Sequence, residues 1–169
     1  MSLHYKFEHE FDVDPAAFWE MFFTEEYNAE LYEALKITGR KVLESTDDGK
    51  ILRRAVRMTP QTRMPAVIAK VVPDQTYVER NVYWREKSAM EVRIEPAALA
   101  SKFDMKAMFS VVPAGEGKCK RIFEGDVKVS IMIVGGQIEK FMVEQMKTSY
   151  ETATQFTRAY IQRRKAKTA

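Results

Sequence analysis

Polar and apolar residues alternate one for one at the start of the chain. Leu3, Tyr5, Phe7, His9, Phe11 and Val13 share one parity, and His4, Lys6, Glu8, Glu10 and Asp12 take the other. A period of two marks a strand with one buried and one wet face. His9 is the polar exception on the buried parity. Asp14-Pro15 then predicts a helix, because aspartate caps well and proline suits the first helical position. That helix carries Phe18, Trp19, Phe22 and Phe23. Thr24-Glu25-Glu26 predicts a second cap, for a short helix with Tyr27, Leu31, Tyr32 and Leu35.

Period two returns over residues 37–44 and 50–59, joined at Asp47-Asp48-Gly49, a strong turn signal. In the second of these strands Leu52, Arg54, Val56 and Met58 form the more apolar parity, so Arg54 is expected to point inward. Residues 66–72 are ambiguous. Their β-branched content argues strand, and their place just after Pro65 argues helix. Residues 76–86 carry Val78, Val82 and Trp84 on one parity with Arg80 among them. Met90, Val92 and Ile94 mark a further strand. Phe103, Met105, Ala107, Phe109 and Val111 mark another. After a turn at 113–117, residues 118–134 read as a last strand, with Phe123, Val127, Val129, Ile131 and Ile133 in phase. Gly125 in its middle predicts a bulge or bend.

From Gly135 to about Lys165 the period becomes 3.6. Ile138, Phe141, Met142, Met146, Ala153, Phe156, Tyr160 and Ile161 make one stripe. Glu139, Lys140, Glu144, Lys147, Glu151, Arg158 and Arg163 fall mostly on the other side. A helix of about 30 residues is roughly 45 Å long, so its apolar stripe needs something wide beneath it. Consecutive hairpins supply an antiparallel sheet whose apolar face needs a cover. The expected architecture is α+β, over residues 1–169 as a single domain. A curved sheet of about seven strands grips a long C-terminal helix, leaving a space that the short helices close at one end.

Composition narrows the setting. Of 169 residues, 46% are apolar and 30% charged, which suits one core under a soluble surface. No apolar run is long enough to span a membrane, and residues 1–6 lack the apolar stretch of a secretory signal. Cys119 is the only cysteine, which excludes an internal disulfide and fits a cytoplasmic setting. The net charge of +3 is weak. The basic residues cluster only at Arg163, Arg164, Lys165 and Lys167, which reads as a solvated helix end favoured by the helix dipole. Nucleic-acid binding is not expected, transient membrane contact is left open, and a monomer or weak dimer is anticipated. The 10 methionines suit an adaptable apolar pocket.

Catalytic signatures are scarce. His4 and His9 lie on opposite strand faces, so a zinc site is not expected. No nucleophile elbow or phosphate loop occurs, and no cofactor is called for. Gly135-Gly136 reads as a tight strand-to-helix turn. Cys119 reads as structural or at an edge. Three polar residues remain: His9, Arg54 and Arg80. His9 has three roles open to it: acid or base, partner to a ligand head group, or a histidine satisfied by its neighbours. An inward arginine wants a carboxylate or phosphate from the protein or a ligand; an outward one is ordinary surface. Trp84, Phe103, Met105, Phe109, Phe141, Met142 and Met146 are the expected apolar lining, as core and as pocket wall.

The stretch Met64-Pro65-Ala66-Val67-Ile68-Ala69-Lys70, then residues 76–84, and above all Val127-Lys128-Val129-Ser130-Ile131-Met132-Ile133-Val134-Gly135-Gly136-Gln137-Ile138-Glu139-Lys140 resemble a bacterial family of domains of unknown function. That family sits in the START-like (SRPBCC) superfamily, with the Bet v 1-type plant proteins and the polyketide cyclases. The resemblance covers nearly the whole chain and implies the helix-grip fold. It also favours helix for residues 65–71. One departure is that the family usually has a proline where this chain has Ser130 to Met132. The shared motifs are structural and none is a catalytic signature. The implied function is binding or transport of a hydrophobic small molecule, such as a lipid, sterol-like or polyketide-like compound, with His9, Arg54 or Arg80 orienting its polar end. A cyclase or aromatase using the same cavity, and a scaffold with a filled core, are the alternatives. Residues 59–73 are the expected lid.

Overall fold

The alternation at the start of the chain folds as β1 (Leu3–Phe11), followed by α1 (Pro15–Phe22) and α2 (Glu25–Ala34). The caps are those expected. Asp14 Oδ1 accepts from the Ala17 amide at 2.8 Å, and Thr24 Oγ1 accepts from the Tyr27 amide at 3.3 Å. Then come β2 (Ile37–Asp47), β3 (Ile51–Pro60), the four-residue α3 (Ala66–Ala69), β4 (Tyr77–Trp84) and β5 (Ala89–Pro96). A 3-10 turn at Ala100–Lys102 precedes β6 (Phe103–Pro113) and β7 (Cys119–Val129), and α4 (Gly135–Thr168) closes the chain. The computed structural model describes residues 2–168.

The seven strands form one sheet in the order β1-β7-β6-β5-β4-β3-β2, with every neighbouring pair antiparallel. β1 and β2 therefore end at opposite edges, and α1 and α2 make the crossing between them. This is the helix-grip architecture, a curved sheet around a long helix. α1 seats its aromatic face on the sheet. Trp19 lies 4.3 Å from the Tyr83 ring, and its Nε1 donates to Ser88 Oγ at 2.8 Å. Phe18 touches Phe11, Phe22 and Phe109 in the same cluster.

α4 is held firmly at both ends. At its start, a Cβ on Gly135 would lie 2.3 Å from the Val129 carbonyl oxygen, so only glycine fits the tight turn. One turn on, Glu139 is buried and its Oε1 accepts from the Val129 amide at 2.8 Å. That corrects the expected outward position of Glu139: its carboxylate satisfies the amide at the very end of β7. In the C-terminal third, Ala153, Thr157, Tyr160 and Ile161 are buried, and Thr157 Oγ1 meets the Tyr27 hydroxyl at 2.7 Å.

Three further expectations are corrected. β7 ends at Val129, not near 134. Ile131 and Val134 turn back against the core, while Met132 and Ile133 protrude, 88% and 91% exposed, with Ile133 at φ +74°. Gly125 makes no bulge, because its register against Tyr5 and Ala107 is unbroken. Glycine is needed there since a Cβ would sit 2.4 Å from the Lys106 carbonyl oxygen. The bulges lie in edge strand β2 instead, beside Gly39 and Leu43. In β4 the buried parity is that of Asn81 and Tyr83, not that of Val78, Val82 and Trp84.

Candidate functional site

Between the sheet and the middle of α4 lies a cavity of about 320 Å³. Its lining follows α4 from Ile138 to Ala153, a span of roughly 22 Å at 1.5 Å per residue. Between Phe141 and Tyr150 the helix bridges open space, and its apolar stripe is only half-buried there, while Ile138 and Ala153 at the two ends are buried. Phe103, Met105 and Phe109 rise from β6 as one wall, and Phe141, Met142 and Met146 descend from α4 as the roof. One end is closed by Phe22, Tyr27 and Leu31 from the short helices. The opposite end is covered by Met64, Ile68 and Val72 from α3 and its flanks. Ile68 packs there with Val129 and Ile138 in a small apolar cluster of its own.

The polar groups on the wall are few. Burial raises the phenols of Tyr27, Tyr32, Tyr77 and Tyr150 above their usual range, so all four stay protonated donors. Glu79 offers a carboxylate from β4. Arg121 offers a cation from β7 and is only 3% exposed.

Arg121 was not singled out by sequence, although period two reports it. It shares the parity of Cys119, Phe123, Val127 and Val129, all buried. Its Nη2 donates to Thr154 Oγ1 at 2.7 Å, to His9 Nδ1 at 3.0 Å and to the Tyr150 carbonyl at 3.4 Å. Its guanidinium carbon lies 4.7 Å from the Tyr150 ring centre, 5.1 Å from Phe11 and 5.9 Å from Phe109. Its Nε is fully buried with no hydrogen-bond partner. Among the described residues no carboxylate pairs with it. A buried cation costs several kcal/mol to desolvate, and each aromatic face returns about 0.5–2 kcal/mol. Burial lowers its pKa, yet arginine starts too high to lose its proton.

The other candidates fall in different places. His9 lies off the cavity. Because arginine can only donate, His9 Nδ1 accepts from Arg121. Partial burial, then the charges of Arg121 and Arg158, lower its pKa and hold it neutral. It is thus a histidine satisfied by its neighbour. Arg54 is inward as expected, 8% exposed, but also off the cavity. It donates through Nε and Nη2 to Asn81 Oδ1 at 3.3 and 3.2 Å, and Asn81 Nδ2 donates on to Glu79 Oε1 at 3.0 Å. Phe23 covers its guanidinium at 5.2 Å. Arg80 and Trp84 correct the inward parity assigned to them. Arg80 is on the outer face, pairing with Glu95 at 2.8 Å and Glu44 at 3.7 Å. Trp84 is there too, with Lys87 Nζ 5.3 Å from its ring centre. Cys119 is fully buried, which pushes its thiol up to about 11. Among the described residues no three His, Cys, Asp or Glu side chains cluster as metal ligands would, and no helix is long and apolar enough to cross a membrane.

Comparison with known proteins finds the same architecture at low identity. The Zhui aromatase/cyclase from Streptomyces sp. R1128 superposes with a TM-score of 0.71 at 10% identity, covering 97% of this chain and 96% of that one. A START superfamily protein from Mycobacterium smegmatis gives 0.58 at 15%, covering 95% and 97%. Norcoclaurine synthase from Thalictrum flavum, in complex with dopamine and hydroxybenzaldehyde, gives 0.59 at 15%, covering 93% and 87%. These likenesses show the START-like fold. No curated protein sequence matches the chain. A family model described as a protein of unknown function (DUF2505) matches residues 6–161.

Proposed function

Since the chain belongs to the DUF2505 family and has the START-like fold, we propose that it binds an elongated hydrophobic small molecule under α4 and holds it unchanged. The ligand class is lipid, sterol-like or polyketide-like. The observation that carries this reading is the cavity itself, about 320 Å³ of space roofed by flexible methionines and walled by aromatics. Its size falls in the range of small-molecule sites, which are mostly apolar with a few placed polar groups. Phe103, Met105, Phe109, Phe141, Met142 and Met146 supply the contact surface. Residues 59–73 are the lid, being the cover with least secondary structure.

Holding is favoured over turnover by the state of the acid–base groups. General acid–base catalysis needs a titrating pair within reach of one substrate atom. Here His9 is turned onto Arg121, Glu79 accepts from Asn81, and the phenols are held protonated. A single buried cysteine suits a reducing compartment such as the cytoplasm.

Native mass spectrometry of protein purified from its own host, followed by extraction, tests the reading. The expected result is a co-purifying apolar molecule that a cavity-filling Met105→Trp variant no longer carries. A protein that is empty and indifferent to fatty acids, sterols and aromatic polyketides overturns it. A ligand that returns chemically altered shows an enzyme.

A further inference from the structure

The geometry points to an anionic head group, a carboxylate or phosphate monoester, as the polar end of the bound molecule, received by Arg121. This inference rests on the binding reading above and specifies its ligand.

Arg121 is the one guanidinium on the cavity wall among the described residues. Its Nη2 is fully used, by Thr154, His9 and the Tyr150 carbonyl. Its Nε is buried without a partner, and Nη1 takes part in none of its hydrogen bonds. Nε–H points along the edge shared with Nη2, whereas Nη1 is on the Cδ side and is the unpartnered donor that the protein does not enclose. Nη1 is therefore the donor that meets an oxygen of a carboxylate or phosphate in a charge-assisted hydrogen bond. His9 and Thr154 fix Nη2, so the guanidinium is set before a ligand arrives.

No group of the protein completes the charge. Of the two carboxylates on the wall, Glu79 bonds Asn81 and through it faces Arg54, and Asp74 accepts from the Thr76 amide at 2.8 Å. Arg40 is the informative control. It too leaves Nε and Nη2 without partners, but it pairs with Glu25 through Nη1 at 3.3 Å and lies off the cavity. Only Arg121 combines burial, an unused donor, a missing counter-ion and an adjoining space. The aromatic rings of Phe11, Phe109 and Tyr150 dress the cation without cancelling it. An anion with an apolar tail satisfies both parts at once, with its head on Arg121 and its tail running under α4 toward Ile68 and Ile138.

The test is a matched series on the full chain: dodecanoate, dodecyl phosphate, dodecanol and dodecylamine, each displacing an apolar fluorescent dye. At least one anion is expected to bind 10-fold or more tighter than the alcohol, with the amine weakest. Which anion wins separates carboxylate from phosphate. Arg121→Met is expected to erase the anion's advantage over dodecanol. Should that variant not fold, a crystal structure of the wild type with the preferred anion decides, expected to show an oxygen about 3 Å from Nη1. Equal binding of all four, or an anion seated away from Arg121, overturns the inference and leaves the apolar cavity reading standing. Displacement by none of the four overturns both.

Discussion

Two arginines are buried in this molecule, on opposite halves of the sheet, and they are settled in opposite ways. Arg54 on β3 gives two donors to one oxygen of Asn81, which passes the interaction to Glu79, under the rings of Phe22 and Phe23. Arg121 on β7 has aromatic faces, a histidine and a threonine, and no acid. The first is a closed network whose members depend on one another. The second is a charge with one side left open toward a space. Burial alone therefore does not separate a structural cation from a receiving one. What separates them is whether an acid of the protein completes the charge and whether a space adjoins it.

The largest effect that sharpens this contrast is on stability. Arg54→Met is expected to cost about 3 kcal/mol in chemical denaturation, because Asn81 and Glu79 lose their buried partner. Arg121→Met is expected to act in the other direction, raising the stability of the empty protein by about 1 kcal/mol, since it replaces an unpaired buried charge with an apolar chain of similar length. Equal losses in the two variants would make the arginines equivalent and break the comparison.

A smaller effect lies in pH. The folded state holds the His9 pKa below its unfolded value through burial and the neighbouring Arg121. Below about pH 6.5 the unfolded chain takes up a proton that folded His9 refuses, so stability falls as pH drops through that window. With Arg121→Met the larger of the two charge repulsions is gone, and the fall is expected to be shallower in urea titrations at pH 5 to 7. An unchanged slope would show that burial and Arg158, without Arg121, govern His9. The smallest effect is local. Amides of residues 59–73 are expected to exchange faster than those of α4 between Phe141 and Tyr150, and to slow when an apolar ligand is added. Protection equal to that of α4 in the empty protein would remove the lid.

The order of elements along the chain and the long helix were legible in the sequence because both obey their periods over many residues. β1, β6 and α4 bury the parity or stripe that their apolar residues announce. The same rule failed on β4, for a reason tied to the cavity. The inward residues there, Tyr77, Glu79, Asn81 and Tyr83, include polar groups of the cavity wall and the Arg54 network. The outward Val78, Val82 and Trp84 look more apolar than the wall does. A strand facing a cavity does not read like a strand facing a core. Arg121 was hidden differently: its strand was read from residue 118, but the inward parity was marked by its apolar members from Phe123 onward, and the charge one step earlier on the same parity was passed over. Glu139 could not be placed by periodicity, because its burial depends on one unpaired amide at the end of β7.

α4 carries one more consequence. Its first turn is locked to Val129 through Gly135 and Glu139, and its last third is locked to α2 through Thr157 and Tyr27. Between them it is a beam clamped at both ends over an open span. Such a beam resists tilting and tolerates slight bowing, and its underside there is Phe141, Met142 and Met146, side chains that change shape at little cost. On the proposed binding role, guests of different girth would be accommodated by the roof's side chains and a shallow flexing of the span, while the two clamps, and the strand that carries Arg121, keep their places.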